Sequence, residues 1–255
     1  MYREQVRDVG VKMGVDIDGS PLRAVAGRMA AALVTIALAM TMAVLGSAAA
    51  EAGAGASAPT LAQARKDLLT LSDMPAGWTT TKNPDTGNNT LGDSQLAHCI
   101  GVRASLITEN PPSVNSRQFQ DKQATLTVAD NVTVFPSAKN AAAEYAIGNN
   151  PKLAGCMTTL ASGPLKTKLF GKPPKGGSIG SPLVSTVAPS AFGPGVAGYS
   201  LSVPITDHGV TLNVTVTQLE TVKGRLGHQV TFTSLGAPFS ISLQRQIMTV
   251  AAGRL

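Results

Sequence analysis

The sequence predicts an α+β domain of two layers, an antiparallel meander with helices packed on one of its faces, lying behind an export segment. The first observation is alternation. Tyr199, Leu201, Val203 and Ile205, then Val210, Leu212, Val214 and Val216, then Val230 and Phe232 each recur every second residue among Ser, Thr, Asn and Pro, as strands do when one side meets a core. The second is turn chemistry: Asp207-His208-Gly209 and Lys223-Gly224 supply hairpin connections between those strands. The third is that the residues before this β-rich part, and the residues after it, carry helical spacing and caps. Hydrophobic residues make up 43% of the 255 and charged ones 14%, which excludes a disordered chain and a multi-spanning membrane protein.

The amino end carries an export signal. Arg23 and Arg28 precede an uncharged run from Met29 to Leu45, followed by the small residues Ser47-Ala48-Ala49-Ala50-Glu51-Ala52-Gly53-Ala54. Cleavage is expected after Ala50, with Ala54 and Ala56 as alternatives. The competing reading is an uncleaved signal anchor, since Met29 to Ala50 is long enough as a helix to cross a hydrocarbon core about 30 Å thick. Either way the two arginines stay inside and the rest of the chain lies outside the membrane. No cysteine follows the run closely, so lipid attachment is not expected. The resulting division is 1–28, a cytoplasmic n-region or a mis-called extension with Met13 as the truer start; 29–50, the signal; 51–59, a flexible linker; and 60–255, one exported domain.

Within that domain, Thr60-Leu61-Ala62-Gln63 has a capping-box pattern, and Leu61, Ala64, Leu68 and Leu71 keep helical spacing as far as Asp73-Met74-Pro75. Asp93 is placed as the cap of a helix bearing Leu96, Cys99, Ile100 and Arg103. Val114 to Phe119 reads as a weak strand. Leu126, Val128, Val132 and Val134 read as a second one, interrupted at Asp130-Asn131 by a bulge or turn. Ser137 caps a helix with Ala138, Ala141, Ala142 and Tyr145 on its inner side and Gly148 at its end; Asn150-Pro151 opens the next, with Leu153, Cys156, Met157 and Leu160 inward. Ala161 to Pro182, rich in Gly, Pro and Lys, reads as mainly an exposed loop. Pro238 opens a last helix whose Leu243, Ile247, Val250 and Ala251 cover the sheet.

Cys99 and Cys156 are the two cysteines of the chain. An even count in an oxidising compartment predicts a disulfide, here between the apolar sides of two helices. Closing a loop of that length contributes about 4 kcal/mol in the chain-entropy account. His98 beside Cys99 raises the alternative of a metal pair or activated thiolate, but a metal site takes three or four ligands and no second His/Cys cluster accompanies it.

The stretch Val132-Thr-Val-Phe135-Pro-Ser137-Ala-Lys-Asn-Ala141-Ala-Ala-Glu-Tyr145, the downstream Cys156, the hairpins and the Pro238-Phe239 helix together resemble exported actinobacterial, chiefly mycobacterial, proteins. Those are similar to the extracellular sensor domains of receptor Ser/Thr kinases and to small cell-wall lipoproteins of PsbP-like fold. The resemblance implies a sheet with helices on one face and a cleft for an envelope ligand.

Catalytic constellations are thin. Gly198-Tyr199-Ser200-Leu201-Ser202 lacks the closing glycine of a nucleophile elbow and lies within a strand pattern. His208 falls at a hairpin tip and His98 on the disulfide helix; His228 shares the face of Val230 and Phe232 and reads as a core histidine satisfied by a neighbour, or as a pocket residue. Trp78 reads as a core anchor, and Lys166, Lys168, Lys172 and Lys175 as a solvated run. The sequons at Asn88, Asn131 and Asn213 are taken as silent. The net charge of +6 is scattered, aromatics are 4%, and no nucleic-acid motif is present, so no nucleic-acid partner is expected. The expected function is therefore an exported, non-catalytic cell-envelope domain, sensor-like or binding a small or lipidic ligand or a protein partner, with no cofactor, no metal and no identified ligand-binding residue. Membrane contact is expected only through an uncleaved anchor. The alternatives are an esterase-like secreted hydrolase using Ser200 or His228, and a structural or adhesive envelope protein.

Overall fold

The computed structural model describes residues 59–83, 92–108, 111–163, 165–166, 170–171, 173 and 175–255. The signal segment, the expected cleavage at Ala50, the linker up to residue 58, the Asn88 sequon, Lys168 and Lys172 lie outside the described residues. Among the described residues no helix is long and apolar enough to cross a membrane.

The sheet follows from the alternation noted above. Strands β1 (Thr79–Thr81), β2 (Ser113–Asn115), β3 (Gln118–Gln120), β4 (Leu126–Val134), β5 (Ser178–Ile179), β6 (Leu183–Thr186), β7 (Val196–Asp207), β8 (Val210–Lys223) and β9 (Leu226–Leu235) form one antiparallel sheet. Its order is β1-β3-β4-β9-β8-β7-β5, with β2 beside β4 and β6 beside β7. The meander β7-β8-β9 turns at His208-Gly209, both with positive φ, which matches the twist of the strands they join. A second tight turn links Lys223 to Leu226.

Seven helices are present among the described residues: α1 (Leu61–Asp67), α2 (Asp93–Ile100), α3 (Ser105–Thr108), α4 (Ala138–Gly148), α5 (Leu153–Ser162), α6 (Pro189–Phe192) and α7 (Ile241–Arg254). Three start on hydroxyl caps: Thr60, Ser137 and Ser240 accept the backbone N–H of Gln63, Asn140 and Leu243. The α+β class and the antiparallel sheet are as the sequence predicts, but the helices divide between both faces. Directly opposite residues of an antiparallel pair share a face, so Tyr199, Gln218, Glu220 and Gln229 point one way and Leu219, Val230 and Phe232 the other. On the first side Leu201, Val203 and Val214 pack with Ile100, Ile107, Leu153 and Met157 of α2, α3 and α5. On the second, Leu219, Val230 and Phe232 pack with Ile247, Met248 and Ala251 of α7, and Trp78 joins this core 6.2 Å from Phe239. The arrangement has three layers because β8 and β9 are buried on both sides, their polar positions included.

Four further expectations need correction. Strand β4 pairs with β9 without interruption from Leu126 to Val134, so Asp130-Asn131 is no bulge. The two polar residues stay in register because each has a partner: Asn131 donates to Asn115 at 2.8 Å, and Asp130 lies 2.8 Å from His228. The weak strand at Val114 to Phe119 is split at Ser116-Arg117 into β2 and β3, both paired to β4. Gly92, with φ of 89°, occupies the cap position of α2 in place of Asp93, which becomes the first helical residue. Within the segment after α5, read as mainly an exposed loop, Leu165 and Phe170 depart from that reading and are anchored in the first core.

The second core is closed by polar contacts. Asp130 Oδ2 accepts the Leu69 N–H at 2.9 Å and faces His228 Nε2 at 2.8 Å, while His228 Nδ1 lies 3.1 Å from the Ala251 carbonyl. At the rim, Arg254 bonds both oxygens of Asp73, at 2.8 and 2.6 Å, and the Leu68 carbonyl. Both members of the His228–Asp130 pair have fully buried side chains. His228→Ala should therefore cost about 3 kcal/mol or more in denaturant unfolding, because it leaves a buried carboxylate and a carbonyl without their partner. A loss within about 0.5 kcal/mol, the range of ordinary surface changes, would show that the pair carries no such role.

Candidate functional site

Polar side chains converge beneath α4, on the α2/α5 side of the sheet. The Ala-rich α4 has apolar groups around its whole circumference, so its spacing alone cannot orient it. The expected inner side of Ala138, Ala141, Ala142 and Tyr145 is replaced by Asn140, Ala141, Glu144 and Ile147. Helix α4 comes close to the sheet at Gly148, which carries no side chain, while the bare Gly198 lets β7 lie close against β8. A Cβ on Gly148 would sit 3.2 Å from that of Ala197, and one on Gly198 would collide with the Gln218 carbonyl.

Between α4 and the strands lies a cavity lined by Glu144, Leu153, Tyr199, Gln218, Glu220 and Gln229. Its volume of about 20 Å³ admits one water molecule or one ion of similar size. Tyr199 donates its hydroxyl to Gln218 Oε1. Glu144 Oε2 and Gln218 Nε2 are buried with no hydrogen-bond partner, and their residues are only 5% and 3% exposed. The lipidic ligand expected between sheet and helices does not fit this volume.

Burial dominates the electrostatics. It pushes Glu220 up to about 8 and raises Glu144 well above the usual carboxylate range, where the charges of Glu220 and Asp93 add to the effect. Asp93, at the start of α2, is raised to about 6 by desolvation, and Tyr199 is raised too, by burial and then by Glu220. Glu144 and Glu220 are not among the residues that the sequence marks, and Asp93 is marked only as a helix cap. The legible signal is weak: Glu220 is the one charge between Val210 and Val222 of β8, and Glu144 the one acid of an alanine helix.

The other predicted residues are placed as follows. Cys99 of α2 and Cys156 of α5 form a disulfide, separated by 57 residues with Cα atoms 5.8 Å apart. Cys156 is buried, whereas Cys99 sits at the exposed edge of its helix, off the apolar stripe expected for it. Ser200 bonds Thr217 at 3.1 Å on the face toward α7. His228 shares that face but lies two strands away and four residues, about 13 Å, further along β9, so the two are not brought together. Both His228 ring nitrogens face acceptors, Asp130 and Ala251. His208 stands exposed beside Asp207, and His98 is exposed. Asn131 is buried within β4, and Asn213 exposed in β8. Among the described residues no three His, Cys, Asp or Glu side chains are placed to hold a metal ion.

No family model matches the chain, and no curated protein matches it. Among solved structures, the extracellular domain of PknH from Mycobacterium tuberculosis is similar over 78% of this chain and 98% of that one, with 10% identity and a TM-score of 0.39.

The raised carboxyls fix a sign. A carboxyl whose folded value lies above its unfolded one keeps its proton longer in the native state. Its contribution is therefore fully present below the unfolded value near 4 and is lost as pH rises through the folded one. Thermal midpoints at low salt should fall from about pH 5 to about pH 8, and Glu220→Gln should flatten that slope. An identical slope in the variant would count against burial of the Glu220 carboxyl.

Proposed function

We propose that this chain is an exported domain of the cell envelope, working outside the cytosol as a sensor-like or ligand-binding module and not as a catalyst. The observation that carries the reading is the Cys99–Cys156 bond. One of its cysteines is exposed, and a bond open to solvent in that way persists where the surroundings are oxidising, not where cytosolic thiols would reduce it. The basic flank and apolar run before Ala50 support the same compartment.

The hydrolase alternative draws no support from geometry. His228 has neither nitrogen open toward a nucleophile, and Ser200 is bonded to a threonine instead of a base. What the fold offers a ligand is the small polar cavity under α4, suited to one water-sized hydrogen-bonding group or the tip of a larger molecule.

Thiol trapping in fractionated cells tests the compartment. Both cysteines should resist a bulky maleimide in the extracytoplasmic fraction and react only after reduction. Full-length protein with both thiols reactive in the cytosol would overturn the reading. Native mass spectrometry of the secreted protein with envelope extracts tests binding, where a discrete adduct is expected and its absence removes the ligand-binding part.

A further inference from the structure

The geometry points to a binding site for one small, singly charged cation, either an alkali ion or a primary ammonium group, in the cavity between α4 and strands β7 and β8. Its carboxyl oxygens would come from Glu144 and Glu220, its neutral oxygens from Gln218, Gln229 and Tyr199. This deepens the ligand-binding reading above but does not depend on export.

Three observations carry it. The volume, about 20 Å³, suits one ion or one ammonium tip and excludes anything larger. Glu144 is 5% exposed and its Oε2 has no partner, so a carboxyl oxygen aimed at the cavity is left without the donor or cation that buried oxygens ordinarily have. Two carboxyls face it from opposing elements, and because burial raises both, a bound cation takes the place of a proton there. The amide of Gln218, 3% exposed with Nε2 unpartnered, fits after its two ends are exchanged. Nε2 then donates to the Tyr199 hydroxyl oxygen and the carbonyl oxygen turns to the cavity.

The charge class follows from the ligand count. Calcium takes six to eight oxygens and several carboxylates, and transition metals take clustered His, Cys or acid ligands, which are not assembled among the described residues. Two carboxyls with neutral oxygens suit a single positive charge. Gln229 at the cavity's edge is partly exposed, so a cation carried on a larger molecule has a way in there.

The test is a titration of the whole exported domain, at constant ionic strength, with sodium, potassium, methylammonium, calcium and tetramethylammonium chlorides. The last is too bulky for the cavity and reports screening alone. A saturable rise in thermal midpoint with sodium or potassium assigns an inorganic ion; one with methylammonium alone assigns an ammonium-bearing ligand. Glu220→Gln should abolish at least nine-tenths of the rise. Should that variant fold poorly, broadening of the sodium or nitrogen-14 ammonium resonance by the wild-type protein, reversed by the competing cation, gives the same answer. Equal shifts with tetramethylammonium, stabilisation by calcium only, or no shift with any salt overturn the site. Such a failure leaves the thiol-trapping result for the compartment untouched.

Discussion

The rest of the structure depends on a buried polar contact at the meeting point of four elements. Asp130 on β4 takes the Leu69 N–H just after α1 and sits against His228 on β9, and His228 in turn reaches the Ala251 carbonyl of α7. Without it, two apolar surfaces would still attract, but packing alone would fix neither the height of α7 over the sheet nor the point at which the segment after α1 joins it. Apolar packing is non-directional, whereas a carboxylate, an imidazole and a carbonyl accept only a narrow geometry. The rim contact of Arg254 with Asp73 and Leu68 repeats the arrangement at the end of α7, so the first and last parts of the domain are held side by side.

The two faces of the sheet are held differently. Toward α7 the strands present Val128, Leu219, Val230 and Phe232 and close on an apolar core beside the buried His228–Asp130 contact. Toward α4 the same strands present Gln218, Glu220 and Gln229, and the packing leaves a small polar space instead. The disulfide lies on the α4 side, joining α2 to α5. A covalent tie there removes chain entropy in addition to the apolar contacts of that core. The same side of the sheet therefore carries both the covalent tie and the candidate site.

That placement bears on chemistry. Paired carboxyls often mark general acid and base work, but these two face an amide and a tyrosine, and a cavity of about 20 Å³ does not enclose a sugar ring. The groups are arranged to receive positive charge or a hydrogen-bonding tip. The His228–Asp130 pair, which resembles part of a hydrolytic triad when described by residue type, is sealed between α7 and the sheet with its nitrogens engaged.

Much of the fold was legible because the relevant forces are local. Hydroxyl caps at Thr60 and Ser137, the turn at His208-Gly209 and the alternation of β7 to β9 act within a few residues, and an even cysteine count needs no geometry at all. What sequence left undecided was every choice between faces. Alternation says that a strand has two sides but not that both are covered, and an alanine helix offers no stripe to orient it, so the buried side of Asn140, Ala141, Glu144 and Ile147 does not follow from its spacing. The partners that settle these choices lie far along the chain, 98 residues between Asp130 and His228 and 181 between Asp73 and Arg254. A polar residue inside a strand looks like a defect until its partner is found, which is why Asp130 reads as a bulge in sequence and as a fastening in three dimensions.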